Sequence, residues 1–181
     1  MSYNAAAIDS LFTNAGVTKC TCSFLTWGWW GGDVAYDNTA AYNPGGRDRL
    51  SFATYVAGTL ATAAQLPNTG SATFTGHVVG NVQNGNNSYI AVGGYSNTWN
   101  WAGATGTVTI SNFDGTTYTG TTNLVNNTVQ FSGNLSGGGR VGSLSGAFFQ
   151  SGGQVAGQAG SFGIAGANYK AAGTFAAQKT Q

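Results

Sequence analysis

The chain has 181 residues, with 6 Lys or Arg, 5 Asp, no Glu and one His, set against 30 Gly and 23 aromatic residues (5 Trp, 8 Tyr and 10 Phe). Charged residues make up 6 %, where an ordinary soluble domain carries about a quarter, and a net charge of +1 provides no basic patch to neutralise nucleic-acid phosphates. No apolar run approaches the roughly 20 residues of a transmembrane helix, 41 % hydrophobic content exceeds what a disordered chain carries, and the length suits one domain.

From the N-terminus, Met1 to Thr13 carries Ala5-Ala6-Ala7-Ile8 and Leu11-Phe12, the makings of one short helix that Gly16 would stop. Met1 opens no secretory signal, so a mature or excised form is expected. Cys20-Thr21-Cys22 follows. In extended backbone both thiols point to one side, and three readings compete: a disulfide, half of a metal site, and two inert thiols. The Gly-, Thr- and Asn-rich composition favours an oxidising compartment and hence the disulfide. Trp27, Trp29 and Trp30, with Tyr36 and Tyr42 nearby, form the most conspicuous aromatic cluster. Such a cluster serves as a stacking platform for sugar rings or as a protein-binding hot spot. The plainer reading buries Trp27 and Trp29 as a plug, with Trp30 partly exposed. Arg47-Asp48-Arg49 reads as a surface ion-pair patch. Phe52 to Ala64 spaces Tyr55, Val56 and Leu60 like a helix, while Gly58 and several Thr suit an extended segment. Pro67 then interrupts regular structure, dividing an N-terminal segment, 1–66, from a β domain, 67–181.

From Gly70 the period becomes two. Ala72, Phe74, Gly76, Val78, Gly80 and Val82 share one face, and Thr73, Thr75, His77, Val79 and Asn81 the other. Asn84-Gly85-Asn86-Asn87 reverses the chain into Tyr89–Trp101, with a break expected near Asn97. Gly103–Phe113 and Thr116–Asn123 flank Asp114-Gly115, the strongest hairpin signal present. Thr128–Leu135, Val141–Gln150, Gln154–Ile164 and Asn168–Ala177 complete eight strands, separated by Gly137-Gly138-Gly139, Gly152-Gly153 and Gly166-Ala167. The spacing predicts an all-β fold, an eight-stranded antiparallel up-and-down β-barrel, with an N-terminal extension that packs on it or plugs it. Trp99 and Trp101 are assigned to its core or rim. Lipid-facing strands would be apolar at alternate positions, whereas here both faces are rich in Thr, Ser, Asn and Gly.

Gly70-Ser-Ala-Thr-Phe-Thr-Gly-His-Val-Val-Gly80, Gly142-Ser-Leu-Ser-Gly-Ala-Phe-Phe, Val155-Ala-Gly-Gln-Ala-Gly-Ser-Phe-Gly-Ile164 and Tyr169-Lys-Ala-Ala-Gly-Thr-Phe follow in order. This series resembles the C-terminal β-barrel of the transferrin-binding-protein-B-like lipoproteins, with its "G-x-F-x-G" and closing "A-A-G-x-F" motifs. With the upstream Cys-x-Cys and Trp-Gly-Trp-Trp-Gly-Gly block it also resembles the C-terminal region of some α-proteobacterial FecR-domain proteins. Two departures stand out: Phe149-Gln150-Ser151-Gly152 lacks the family's Pro and Glu, and Val17-Thr18-Lys19-Cys20 lacks the small-residue approach of a lipid-attachment site. The resemblance implies a cell-surface, extracellular or periplasmic barrel of a Gram-negative bacterium that binds a host protein, haem or another barrel.

Acid–base catalysis needs an imidazole or paired carboxylates. The sole imidazole, His77, lies on a strand with no nucleophile elbow beside it, so solvent exposure or a hydrogen bond in the barrel wall is its plainer role, and haem ligation its sharper alternative. Asp9, Asp33, Asp37, Asp48 and Asp114 are scattered singly, and an enzyme acting on polysaccharide would have to be built on them and the Trp cluster. The expected function is a non-enzymatic binding or adhesion module, with Trp27, Trp29, Trp30, Tyr36, Tyr42 and His77 as contacts and without metal or nucleic acid. The alternatives are a surface filament or layer assembled through the N-terminal segment, and a barrel for haem or another small ligand. A protein partner or self-association is expected, with carbohydrate as a further candidate.

Overall fold

The computed structural model describes residues 5–35, 47–126 and 128–180. After helix α1 (Ala5–Asn14), strands β1 (Leu25–Ala35) and β2 (Arg47–Gly58) form an antiparallel ribbon. Eight more strands follow: β3 (Ser71–Asn84), β4 (Asn87–Asn100), β5 (Thr105–Phe113), β6 (Thr116–Leu124), β7 (Gln130–Gly137), β8 (Arg140–Ser151), β9 (Gln154–Gly166) and β10 (Tyr169–Lys179). Each pairs antiparallel with its chain neighbour, and β10 returns to β3, from Tyr169 opposite Asn84 to Lys179 opposite Phe74, closing the barrel.

Glycine permits this closure. A Cβ on Gly173 of β10 would lie 2.1 Å from the Val79 carbonyl oxygen, and one on Gly120 of β6 would lie 1.8 Å from that of Asn134. Neighbouring backbones therefore coil together where no side chain would fit. The hairpins use the expected turn residues. Asp114 (φ +51°) and Gly115 (φ +70°) occupy the left-handed region, as a type I′ turn requires. The last reversal falls one residue later than predicted, on Ala167-Asn168. Asn168 takes φ +55°, while Gly166 remains in β9 beneath the Arg140 side chain.

The lumen is full. Phe74, Val78, Trp99, Ile110, Phe113, Phe131, Phe148, Phe162 and Phe175 belong to one buried cluster, with Trp99 and Phe148 centroids 5.0 Å apart and Tyr95 stacked on Phe175 at 4.5 Å. Trp101 is buried beside Trp99, in the core. A barrel of this size holds either side chains or one small ligand, and this one holds side chains, which overturns a haem- or ligand-filled interior.

The expected break at Asn97 is absent, because β4 runs unbroken from Asn87 to Asn100. The polar residue turns inward and finds partners across the lumen. Asn97 Nδ2 donates to Gln158 Oε1 on β9 at 3.1 Å and to Thr122 Oγ1 on β6 at 3.3 Å. The Tyr95 hydroxyl donates to the same Gln158 oxygen at 2.9 Å.

The N-terminal segment covers the outer wall and does not plug the barrel. On β3 and β4 the outward residues Val79, Ile90 and Val92 are apolar, and with Ile8, Phe12 and Phe52 they form a second buried cluster. A third joins Cys20 and Leu25 to Ala147, Phe149, Ala159 and Ala176 on β8, β9 and β10. The Phe52–Ala64 segment is extended as β2 through Gly58, and only Ala63–Gln65 makes a helical turn. At the end of α1, Gly16 (φ +64°) donates to the Thr13 carbonyl and Val17 to that of Phe12, at 3.1 and 3.0 Å. This is a Schellman cap, and it redirects the chain down the barrel wall.

Gln158→Ala removes the acceptor shared by Tyr95 and Asn97 and should destabilise the protein by about 1–3 kcal/mol in urea unfolding. A midpoint equal to the parent's would show that this polar bridge contributes nothing.

Candidate functional site

The ribbon divides the sequence-predicted aromatic cluster between two environments. Register pairs Trp27 with Val56, Gly28 with Tyr55, Trp29 with Thr54 and Trp30 with Ala53. Directly opposed residues share a face, so Trp27 and Trp29 look toward the barrel, while Trp30 and Tyr55 look away from it. Trp27 sits 4.0 Å centroid to centroid from His77 and 6.0 Å from Phe12 and from Trp29, which stacks on Phe52 at 6.4 Å. The expectation of a plug in the barrel mouth fails because the lumen is already filled and the apolar strip on the outer wall requires cover.

His77 is the pin of this contact. It is 1 % exposed, its Nδ1 accepts the Cys20 backbone N–H at 3.0 Å, and the Trp27 indole N–H donates to the Cys20 carbonyl at 3.0 Å. Phe12 meets the imidazole edge to face at 5.2 Å. Burial pushes the His77 pKa down from 6.5 to about 3, with the Lys19 charge acting in the same direction. The imidazole is therefore neutral, buried, and committed through Nδ1 to the Cys20 N–H. Cys20 and Cys22 face each other beside it with Cα atoms 5.2 Å apart, within the span a disulfide bridges.

The outward face of the ribbon is different. Trp30 is 55 % and Tyr55 42 % exposed. The Tyr55 ring lies across Gly28, where a Cβ would come within 3.1 Å of three of its ring and hydroxyl atoms. Trp30 and Tyr55 thus hold diagonal positions on the outward face of a ribbon whose other face packs on the barrel wall. Tyr55 was not among the sequence candidates. Only the β1–β2 register reveals it, although a bare glycine beside Trp30 is the kind of position an aromatic covers from the next strand. Tyr36 and Tyr42 lie outside the described residues, as does Asp37.

The other candidates are engaged elsewhere. Asp9 pairs with Lys19 at 2.7 Å. Asp114 accepts from the Tyr89 hydroxyl at 3.0 Å and lies 3.9 Å from Arg140. The Arg140 guanidinium stacks 3.5 Å over the Tyr169 ring and donates to the Tyr118 hydroxyl at 3.0 Å. This second cluster ties the ends of β4, β6, β8 and β10 together beside the Asp114 turn. In the backbone register of the ribbon Asp33 stands opposite Arg49 and Asp48 opposite Val34. Among the described residues no group of His, Cys and Asp gathers as a metal site.

Closure, strand number and a covered outer wall define the class: a small closed antiparallel barrel of eight strands with an N-terminal cover, and solved structures share this fold. A transferrin binding protein B of Haemophilus parasuis Hp5, a vaccine antigen crystallised as a double mutant, superposes with a TM-score of 0.63 at 13 % identity, over 89 % of this chain and 33 % of its own. Its counterpart from Actinobacillus pleuropneumoniae H49 gives 0.56 at 15 % identity, over 88 % and 79 %. A protein described as a surface lipoprotein gives 0.54 at 13 %, over 93 % and 84 %. At such identities the likeness is one of fold, and the chain spans about a third of the Haemophilus protein. No protein-family model matches the sequence, and no curated protein matches it significantly.

Because the folded state holds His77 neutral with a pKa of about 3, and an unfolded or undocked imidazole titrates near 6.5, only the undocked form takes up a proton between these values. Docking of the N-terminal segment is at full strength above pH 6.5 and weakens as pH falls toward 3. At pH 5 the loss should be about 2 kcal/mol. Amide exchange of α1 and β1 measured from pH 7 to 5 should show this after correction for intrinsic rates, and His77→Gln should flatten the dependence.

Proposed function

We propose that this chain is a non-enzymatic binding module of the cell surface that meets a protein partner through the outward face of the β1–β2 ribbon, with Trp30 and Tyr55 as anchors. The observation that carries the reading is the exposure of two adjacent aromatic rings on a face that the barrel does not cover. Exposed Trp and Tyr side chains on a rigid support lose little entropy on binding and dominate interface energetics. The likeness to transferrin binding protein B and to a surface lipoprotein supports the surface location and a protein as partner. The engaged states of His77, Asp9 and Asp114 support a role other than acid–base catalysis. We further propose that Cys20 and Cys22 are joined as a disulfide in an oxidising compartment, fixing the turn from which Cys20 reaches His77.

A second reading, assembly of copies through the ribbon, has one specific support. The ribbon is a sheet of two strands, and unpaired strand edges are templates for addition of another strand. Sedimentation over a concentration series separates the two, since a constant monomer excludes assembly.

The anchor role is tested by surface plasmon resonance against immobilised host-serum proteins, transferrin included. Trp30→Ala and Tyr55→Ala should each weaken capture at least about tenfold, equivalent to roughly 1.4 kcal/mol, while leaving thermal stability unchanged within about 0.5 kcal/mol. Binding that survives the double variant would remove this face from consideration.

A further inference from the structure

The joint between α1 and β1 is fastened by hydrogen bonds at one residue. Among the described residues, the backbone of 18–23 makes two hydrogen bonds, both at Cys20: its N–H donates to His77 Nδ1 on β3, and its carbonyl accepts the Trp27 indole N–H from β1, each at 3.0 Å. A single peptide thus ties the barrel wall to the ribbon. Cys20 is 6 % exposed and packs with Leu25 on Ala147, Phe149, Ala159 and Ala176, while Cys22 is half-buried at the edge of that cluster, between exposed Thr21 and Ser23. The two cysteines therefore differ in access.

A disulfide between Cys20 and Cys22, whose Cα atoms are 5.2 Å apart, has a specific consequence at this place. A bond that encloses one intervening residue has a small loop-closure effect compared with one that closes a long loop, and that effect is confined to the joint. It orders the very peptide that His77 and Trp27 hold. Oxidised, the joint is restricted before it docks on the wall, whereas reduced, the dihedral angles of residues 20–22 must be fixed by docking itself. Cleavage of the bond therefore favours the undocked cover.

We propose that Cys20–Cys22 is an exchangeable disulfide, attacked at Cys22 by a dithiol, whose reduction releases the N-terminal cover from the barrel wall. One thiolate of the dithiol attacks Cys22 Sγ, forming a mixed disulfide and expelling Cys20 as a thiolate; the second thiolate then attacks the dithiol's own bonded sulfur, and Cys22 leaves. Two electrons pass to the cysteine pair, the dithiol becomes a disulfide, and solvent protonates both released thiolates. Attack at Cys22 follows from access, since Cys20 is buried and Cys22 is not. Because Trp27 and Trp30 share β1, release of the joint loosens the Trp30–Tyr55 face as well, and that face is held in place in oxidising surroundings only. The inference rests on the disulfide proposed above and is independent of which partner the face meets.

The test is amide exchange of the full chain at pH 7, where His77 is neutral, before and after treatment with dithiothreitol, with alkylation and intact mass counting the free thiols. The chain has two cysteines, so no alkyl group is expected before reduction and two after it. Exchange in α1 and β1 should quicken roughly tenfold on reduction, exchange in β5 to β7 should stay as it was, and reoxidation should restore the slow rates. Cys20→Ser combined with Cys22→Ser should behave as the reduced protein and ignore dithiothreitol. In the single variants, iodoacetamide should label Cys22 of Cys20→Ser at least about tenfold faster than Cys20 of Cys22→Ser. Two alkyl groups without reductant would overturn the disulfide and this inference with it. A bond that forms but resists dithiothreitol in the folded protein, unchanged exchange of α1 and β1 after reduction, or labelling of Cys20 as fast as that of Cys22 would overturn this inference and leave the disulfide standing.

Discussion

Closure of β10 onto β3 requires two backbones to approach until the Cβ that Gly173 lacks would lie 2.1 Å from a carbonyl oxygen. The rest of the molecule follows from that approach. A barrel coiled so tightly has an interior only wide enough for side chains, and Trp99, Phe131, Phe148 and Phe175 fill it. With the lumen spoken for, the remaining apolar residues of β3 and β4 must be buried from outside. The N-terminal segment is the part of the chain that does this, and its aromatic side chains match the strip it covers. The second buried cluster is therefore a consequence of the first, and the attachment of helix and ribbon to the wall is set by barrel geometry.

Scarcity of charge acts on the same structure in a different way. In this wall the buried imidazole has no carboxylate to hold its proton, and desolvation, with the Lys19 charge acting in the same direction, moves His77 to about 3. A neutral ring can accept the Cys20 N–H, and a protonated one cannot. The hydrogen bond that docks the segment thus depends on burial without a carboxylate partner for the ring. At the other cluster the few charges present are concentrated, with Arg140 lying between Asp114 and the rings of Tyr118 and Tyr169. Burial raises the Tyr169 phenol well above its usual range, so the ring stacked under the guanidinium stays neutral.

The barrel was legible in the sequence because its signals are local. Period-two alternation and turn residues act over a dozen positions, and Asp114-Gly115 or Gly152-Gly153 can form few other structures. The positions that misled were those whose fate depends on distant strands. Asn97 looks like a strand breaker by itself, yet Gln158 and Thr122 supply its partners from β9 and β6. Alternation along one strand is enough to send Trp27 and Trp30 to opposite faces, but nothing local says that the inward pair, Trp27 and Trp29, meets the outer wall instead of the barrel mouth. Tyr55 could not be connected with Trp30 before β1 and β2 were in register. Outward Val79, Ile90 and Val92 did carry a usable hint, since three apolar side chains facing solvent on neighbouring strands imply a cover.

Covering one side of a closed barrel leaves its surface with two kinds of free area, and the difference between them is physical. The ribbon face is apolar and projects from the wall, and its energy on binding would come from removing aromatic area from water. The β6 to β9 face is polar and exposed, and its Thr, Ser and Asn groups already exchange hydrogen bonds with solvent, so a contact there gains little net. The first suits a partner that presents one deep contact, and the second suits water. A chain with 6 % charged residues has little electrostatic steering to offer a partner, and shape must then carry the selectivity of the ribbon face.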